Sequence, residues 1–231
     1  MTTWPNEVVQ RSVDALTALA DPERAPQMAA YMKDVAPFLG VPAGPRRTAL
    51  RAAWRDLRAP SSDELGQAAT ALAHQRYREL HYAAPDLLDR FLQQADDQFA
   101  RRYLAHLLTT TPWWDTVDGL VTAAVSPLCR RDDLDDLVDE WSRSGDRWLV
   151  RAAVGHQRGW KGDTDVDRVL GLCHDHWTDR EFFVAKAVGW ALRDLAALDP
   201  DAVASFLDEH PSPNTVAVRE ARRGVDRARQ G

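Results

Sequence analysis

The sequence predicts an all-α fold, and two observations support this class. Apolar residues recur at i, i+3, i+4 and i+7 along almost all of the 231 residues, and no segment alternates with a sustained period of two. Proline, glycine, serine and aspartate interrupt this pattern at short intervals and divide it into about a dozen helices. We predict helices over residues 7–19, 23–34, 45–57, 63–75, 79–94, 97–108, 113–125, 134–142, 147–160, 165–174, 180–198, 201–209 and 214–229.

Local chemistry supports several of the predicted helix boundaries. Ser61 and Glu64 have the spacing of a capping box, in which each side chain satisfies a backbone amide of the other residue. Thr111 followed by Pro112 has the pattern of an N-cap with proline at the first helical position. Pro85 lies inside the predicted helix 79–94, where proline removes one backbone donor. We therefore expect this helix to kink or to split at Pro85.

Short connections between helices of this length predict antiparallel pairs that stack side by side. The expected architecture is an α-α superhelix, or solenoid, of degenerate HEAT-like helix pairs that forms a single domain over residues 1–231. No sequence motif recurs at a fixed period, so a globular helix bundle remains an alternative. A solenoid would offer one concave surface on which positive charge can gather while acidic residues face away.

The composition predicts a cytoplasmic protein without metal or disulfide bonds. Hydrophobic residues make up 45% of the chain, and no apolar run approaches the roughly 18 residues that cross a bilayer. The N-terminal residues lack the basic and apolar regions of a secretory signal. Cys129 and Cys173 are too few and too far apart for a disulfide framework or a cysteine-based zinc site. The run Cys173-His174-Asp175-His176 is also not expected to bind metal, because consecutive helical residues point in different directions.

The distribution of charge leaves a nucleic-acid partner open. The net charge of −6 argues against such a partner, since phosphate binding usually needs a basic face. However, all but three of the 29 basic residues are arginines, whose planar guanidinium groups suit phosphate oxygens. An acidic block at residues 132–140 precedes a basic stripe formed by Arg147, Arg151, Arg158 and Lys161. The two blocks either divide the charge between opposite faces or are ordinary solvated helix surfaces.

Four residues could share one reaction. Trp114 and Asp118 lie at i and i+4, so the indole and the carboxylate emerge on one side of a helix. Trp190 has Lys186 four residues before it and Arg193 three residues after it, which is unusual for a core position. Arg151 belongs to the basic stripe. We expect the neighbouring Trp113 and Asp115 to pack and to cap the helix.

These residue types fit the cleavage of an N-glycosidic bond. The transition state is an oxocarbenium-like sugar, which the carboxylate of Asp118 would stabilise while positioning the attacking water. The faces of Trp114 and Trp190 would attract a cationic alkylated base, a contact worth roughly 0.5 to 2 kcal/mol. Such a base leaves without a general acid, and Arg151 would bind a phosphate beside it. Individually, the tryptophans could equally be core residues, Asp118 a surface carboxylate and Arg151 half of an ion pair.

Five segments of the chain resemble the AlkD-like DNA alkylation-repair glycosylases in order and spacing. The resemblance runs along nearly the whole chain, and the double-tryptophan segment and the last one are its most specific parts. They are Tyr31-Met32-Lys33 with Phe38-Leu39-Gly40 and Arg46-Arg47; Arg78-Glu79; residues 113–118 (WWDTVD); residues 148–153 (WLVRAA); and residues 181–193 (EFFVAKAVGWALR).

The resemblance implies a HEAT-like repeat fold that holds duplex DNA on its concave surface. It implies a monofunctional, cofactor-free DNA glycosylase that excises cationic N3- or N7-alkylated purines, including bulky adducts, without flipping the base, and that acts as a monomer. By position, Asp118 is the catalytic carboxylate, Trp114 and Trp190 are the aromatic walls, Arg151 faces a phosphate and Tyr31 contacts DNA. Further expected DNA contacts are Arg46, Arg47, Arg147, Arg158, Lys161, Lys186 and Arg193.

Two other functions remain possible at this point. A non-catalytic relative would bind branched or distorted DNA, and the presence of Asp118 disfavours that function. A protein-binding α-solenoid would suit the acidic net charge and would not require the grouping of tryptophan and arginine. The acidic balance and Pro85 depart from the pattern of the resembled family.

Overall fold

The structure is a computed structural model and describes residues 3–211 and 215–230. Within these ranges every regular element is helical and no strand occurs, so the predicted all-α class is confirmed. The helices are α1 (Trp4–Thr17), α2 (Ala25–Tyr31), α3 (Ala43–Ala53), α4 (Ser62–Ala73), α5 (Arg78–Phe91), α6 (Asp97–Phe99), α7 (Ala105–Thr109), α8 (Trp114–Leu120), α9 (Ser126–Arg131), α10 (Asp135–Arg143), α11 (Arg147–Val154), α12 (Val166–Asp175), α13 (Phe182–Ala196), α14 (Pro200–Glu209) and α15 (Thr215–Gln230).

Two of these helical segments contain a wider π-helical turn. Ala100–Leu104 joins α6 to α7, and Val121–Val125 joins α8 to α9, so the chain stays helical from 97 to 109 and from 114 to 131. No helix is predicted from the sequence at 126–131. Pro127 lies inside this continuous helical segment, two residues after the π-helical turn Val121–Val125. The predicted first residue of the last helix, Asn214, lies outside the described residues.

Two predicted helices are shorter in the structure because the backbone turns. The helix predicted over 147–160 ends at Val154, with Gly155 as its C-cap. The helix predicted over 23–34 ends at Tyr31, and the following Lys33 and Asp34 have φ angles of 61° and 53°. The left-handed region ends a helix, and for residues with a β-carbon it is costly.

The chain divides into two compact units, Met1–Ala124 and Val125–Gly231, which we call the N-terminal and C-terminal units. The expectation of a single domain over residues 1–231 stays a prediction. In the N-terminal unit α1 packs against α3, α4 and α5, and α5 also packs against α8. The helices enclose a core in which Leu50, Trp54, Leu65 and Leu87 are fully buried.

Consecutive helices pair within each unit, as expected of an α-α superhelical fold. In the N-terminal unit α4 packs against α5, and the four-residue connection between them requires an antiparallel pair. The predicted capping box starts α4: the hydroxyl of Ser61 accepts from the Glu64 amide at 3.2 Å, and the Glu64 carboxylate accepts from the Ser61 amide at 2.9 Å. In the C-terminal unit α10 pairs with α11, α12 with α13, and α14 with α15.

Glu79 holds the loop before α3 in place. Its buried carboxylate accepts hydrogen bonds from the backbone amides of Leu39, Gly40 and Val41 at 2.8 to 3.0 Å. Gly40 has a φ of 90°, and a β-carbon there would lie 2.2 Å from the carbonyl oxygen of Asp21. Only glycine fits this conformation and this space. Glu79 is therefore a structural residue of the N-terminal unit.

Pro85 does not split its helix. α5 runs without interruption from Arg78 to Phe91 and includes the proline, so a break at this position was wrong and a kink stays a prediction. The ring of Pro85 lies against α8, because its Cγ would be 3.4 Å from a β-carbon built on Gly119. This contact helps to fix the position of α8 against α5. Because Gly119 follows Asp118 directly, it also helps to fix the position of Asp118.

Helices α13 and α15 approach each other closely in the C-terminal unit. A β-carbon on Gly189 of α13 would lie 2.8 Å from Cβ of Glu220, and one on Gly224 of α15 would lie 2.8 Å from Cα of Arg193. Glycine at both crossing points lets the two backbones touch. The buried side of α13, with Val188, Leu192 and Leu195, joins the core of this unit. In the described part of the chain, no helix is long and apolar enough to cross a membrane.

Candidate active site

The side chain of Thr116 forms hydrogen bonds with the residue that precedes α8. Its hydroxyl accepts a hydrogen bond from the Trp113 amide at 3.1 Å and lies 3.0 Å from the Trp113 carbonyl oxygen, to which it donates. Trp113 is the N-cap, and the helix begins at Trp114. The expectation that Thr111 is the N-cap with Pro112 at the first position was therefore wrong. A threonine followed by proline suits an N-cap, but the hydroxyl of Thr111 bonds to the carbonyl oxygen of Ala73 instead.

Thr111 has a φ of 45°, in the left-handed region. Its hydroxyl donates to the carbonyl oxygen of Ala73 at 3.0 Å, and its own carbonyl oxygen accepts from Nη1 of Arg78 at 2.9 Å. A non-glycine residue in this conformation costs of order 1 to 3 kcal/mol, so surrounding contacts must hold it. These two hydrogen bonds join the loop before α8 to α4 and α5.

A buried ion pair fixes the start of α8 on α5. Nη2 of Arg78, a side chain only 1% exposed, donates to Oδ1 of Asp115 at 2.6 Å and to the hydroxyl of Thr116 at 3.2 Å. The hydroxyl of Tyr82 donates to Oδ2 of the same aspartate. Burial and the neighbouring carboxylate raise the pKa of Tyr82 above its ordinary value. Asp115 is therefore not the N-cap of α8, which is Trp113, but the residue that joins the first turn to Arg78 and Tyr82.

Sequence reasoning missed the role of Arg78 and Tyr82 in this network. Arg78 was noted as part of the family resemblance without a function, and Tyr82 was not singled out. The spacing offered a partial signal, since Arg78 and Tyr82 lie at i and i+4 on α5 and face one side. Their partner Asp115 lies 37 and 33 residues further along the chain.

Trp114 and Asp118 lie on the same side of α8, as predicted. Both side chains are partly exposed, whereas Val117 between them is buried in the core. The carbonyl oxygen of Asp118 also accepts from the hydroxyl of Thr122 at 2.9 Å. The N-terminal unit therefore presents one indole and one carboxylate about one helical turn apart, on a helix anchored by a buried ion pair.

Four cations surround the ring of Trp190 in the C-terminal unit. Arg151, Arg158, Lys186 and Arg193 place their charged groups 5.2, 5.6, 5.4 and 5.7 Å from the ring centroid. Each lies within the roughly 6 Å over which a cation is attracted to an aromatic face. We call these four residues and Trp190 the Trp190 cluster. Its members were all predicted as site residues from the sequence.

Arg151 is more deeply buried than its predicted role suggests. Arg151 is only 3% exposed, and its Nη1 donates to the carbonyl oxygen of Phe183 at 2.7 Å. The guanidinium group also lies over Trp190. Arg151 thus joins α11 to α13 and provides positive charge beneath the surface of the cluster.

Glu220 of α15 partly neutralises the cluster, and the sequence analysis did not identify it. The residue is 4% exposed, and its carboxylate accepts from Lys186 at 3.0 Å, from Arg193 at 3.1 Å and from Arg223 at 3.5 Å. Burial alone would raise the pKa of Glu220, but the hydrogen bond from Lys186 and the nearby positive charges lower it below its ordinary value. A buried, ionised carboxylate thus sets the positions of two of the four cations.

The other predicted DNA contacts differ in their exposure. Tyr31 is 76% exposed at the end of α2, and Arg47 and Lys161 are also exposed. Arg147 forms an ion pair with Glu181 at 3.5 Å, and half of its side chain is exposed. All four are placed where a ligand can reach them.

Arg46 is buried and packs against α5. The residue is 7% exposed; Nε lies 3.2 Å from Oδ2 of Asp86, and the guanidinium carbon lies 4.8 Å from the centroid of the Tyr82 ring. Packing and an ion pair already use this guanidinium, and the predicted DNA contact of Arg46 stays a prediction. Arg46 supports Tyr82 and, through it, the anchor of α8.

The described residues contain no group of three or more histidine, cysteine or acidic side chains that could hold a metal ion. Cys129 and Cys173 are free thiols. Burial raises the pKa of Cys129 to about 12, so this thiol stays protonated at neutral pH.

Comparisons with known proteins agree on one family. None of the curated proteins matches this chain. A solved structure described as a predicted DNA alkylation repair enzyme from Enterococcus faecalis is similar, with 26% sequence identity and a TM-score of 0.80. The alignment covers 88% of this chain and 95% of that one. The family model described as DNA alkylation repair enzyme matches residues 13–224, so this chain belongs to the DNA alkylation repair enzyme family.

Proposed function

We propose that the protein is a monofunctional DNA glycosylase that hydrolyses the N-glycosidic bond of cationic N3- or N7-alkylated purines in duplex DNA. The observation that carries the proposal is the pair of Trp114 and Asp118 on one partly exposed side of α8, with the helix start fixed by the Arg78–Asp115 ion pair. A catalytic charge is most effective when its position is set before the substrate binds.

Asp118 would act on the sugar. As the bond between C1′ and the purine breaks, its electron pair leaves with the base, and a cationic base departs as a neutral molecule. The carboxylate of Asp118 would stabilise the positive charge that develops on the sugar and orient the water that adds to C1′. Water then loses one proton as the new C–O bond forms. No general acid is needed, because the alkyl group already makes the base a good leaving group.

The two tryptophans are proposed to have different tasks. The face of Trp114 would favour a cationic base by a contact worth roughly 0.5 to 2 kcal/mol. Trp190 is already surrounded by four cations, which would repel a further cation and attract an anion. We therefore assign the Trp190 cluster to a DNA phosphate, with Arg151 contributing charge from below. This assignment changes the expectation that both indoles attract the base.

The reaction is proposed to need no cofactor and no covalent intermediate. A Schiff base requires a lysine near the sugar, and α8 carries none. Lys186 is held by Glu220 and lies on the ring of Trp190. We also propose that the monomer acts on duplex DNA without base flipping, so that bulky cationic adducts are accepted beside methyl groups. These points rest on the family resemblance.

Release of free base from DNA containing N7-methylguanine tests the proposal. In single-turnover reactions Asp118→Asn should release base about 100- to 1,000-fold more slowly than the wild type, a loss typical of one electrostatic group in an active site. The DNA dissociation constant should change little. Asp133→Asn, which removes one exposed carboxylate, is the matched control and should be unaffected. A wild type that binds DNA but releases no base would instead be a non-catalytic DNA-binding member of the family.

A further inference from the structure

The last helix carries a row of exposed arginines. α15 spans Thr215–Gln230, and its buried side packs on α13. Arg219, Arg223 and Arg227 lie at i, i+4 and i+8 and are all exposed. Residues with this spacing share one side of a helix, with a rise of about 6 Å between neighbours. We call these three residues the arginine stripe.

The arginine stripe is continuous with the Trp190 cluster within the C-terminal unit. Arg223 and Lys186 lie within hydrogen-bonding distance of the same oxygen, Oε1 of Glu220. Arg193 binds the other oxygen of that carboxylate. Because Gly224 lets α15 touch Arg193 of α13, the position of the stripe relative to the cluster is fixed by backbone contact.

The stripe has little compensating negative charge. Glu220 is buried and already shared among three cations, and Asp226 is the other acid of α15. Among the residues that the structure describes, Arg219 and Arg227 have no ion-pair partner. In a protein of net charge −6, one side of α15 thus presents two arginines without an ion-pair partner in the described part of the chain, Arg219 and Arg227, on either side of Arg223, which shares Glu220. Planar guanidinium groups bind phosphate oxygens in a bidentate geometry.

We propose that the arginine stripe binds backbone phosphates of duplex DNA that flank the phosphate at the Trp190 cluster. The inference extends the proposed function and rests on it. The stripe would contribute affinity without sequence preference, because phosphate contacts position the protein and do not read bases. It would give an acidic chain affinity for undamaged DNA.

The salt dependence of binding to an undamaged duplex tests the stripe. Arg219→Gln with Arg227→Gln removes two of its charges and leaves Arg223, which contacts Glu220, unchanged. The logarithm of the DNA association constant falls linearly with the logarithm of the salt concentration, and each lost phosphate contact makes this slope less steep by about 0.9. Between 50 mM and 200 mM salt the wild type should therefore lose about tenfold more affinity than the double variant. The control is Arg143→Gln with Arg180→Gln, the same charge change at two exposed arginines of the C-terminal unit outside α15, and its slope should match that of the wild type.

The outcomes separate this inference from the proposed function. At saturating protein the double variant should release N7-methylguanine at the wild-type rate, since the stripe does not touch the reacting sugar. An unchanged slope, or an equal change in the control, overturns the stripe as a DNA contact while leaving glycosylase activity intact. If the wild type releases no base, but its slope differs from that of the double variant as expected, the proposed activity is overturned and the stripe is retained as a DNA contact.

Discussion

Replacing Asp115 with Asn should destabilise the N-terminal unit and slow base release. The substitution keeps the shape of the side chain and removes its charge, which leaves the guanidinium group of Arg78 buried without a carboxylate. Breaking a buried ion pair from one side costs about 3 to 5 kcal/mol. Asp115 is 14% exposed, and Asn can still accept hydrogen bonds, so we expect about 2 to 3 kcal/mol.

The free energy of unfolding from urea titration measures this loss. Glu23→Gln, which removes an exposed carboxylate from the same unit, should change the stability by less than about 0.5 kcal/mol. Tyr82→Phe should cost about 1 to 2 kcal/mol, because its hydroxyl donates to the same carboxylate. The double variant should lose about 1 kcal/mol less than the sum of the two, since both changes remove the same contact.

Base release gives a second measure of the anchor. If the ion pair holds Asp118 in place, Asp115→Asn should lower the single-turnover rate even at temperatures where the variant is fully folded. An Asp115→Asn protein as stable as Glu23→Gln would refute the assignment of the ion pair as the anchor. A destabilised variant with the wild-type rate would show that the ion pair holds the unit together but does not position Asp118.

Two further predictions concern stability. Burial lowers the pKa of His156 to about 4, below its ordinary value near 6.5. As the pH falls below 6.5, the imidazole of His156 is protonated in the unfolded chain but stays neutral in the folded protein. The free energy of unfolding should therefore fall by about 3 kcal/mol between pH 6.5 and 4. His156→Gln should show a flatter stability profile over this range, and identical profiles would contradict the buried neutral imidazole. A β-carbon on Gly66 would lie 2.3 Å from Cδ2 of Tyr103, so Gly66→Ala should displace the ring and cost about 1 to 3 kcal/mol by thermal denaturation. Gly44→Ala, which meets nothing within 4 Å, is its control and should not lower the stability.

The sequence by itself determined the helical class and the local geometry. The spacing of apolar residues predicts the helices because a helix repeats every 3.6 residues, and this period depends only on neighbours along the chain. The capping box of Ser61 and Glu64 and the shared side of Trp114 and Asp118 follow from the same short-range geometry. Local rules failed where a residue had a distant partner, as at Thr111, which contacts Ala73 and Arg78 in place of capping α8.

Only the tertiary structure decided which charges are buried and what they bind. The sequence predicts that Arg46, Arg47 and Arg151 all contact DNA, but packing buries Arg46 against Asp86 and Arg151 against Trp190, and leaves Arg47 exposed. Glu220 enters the site because Gly189 and Gly224 bring α15 onto α13. The physical reason is desolvation: the energy of a charge depends on the water and partners around it, and these are set by contacts between residues far apart in the chain.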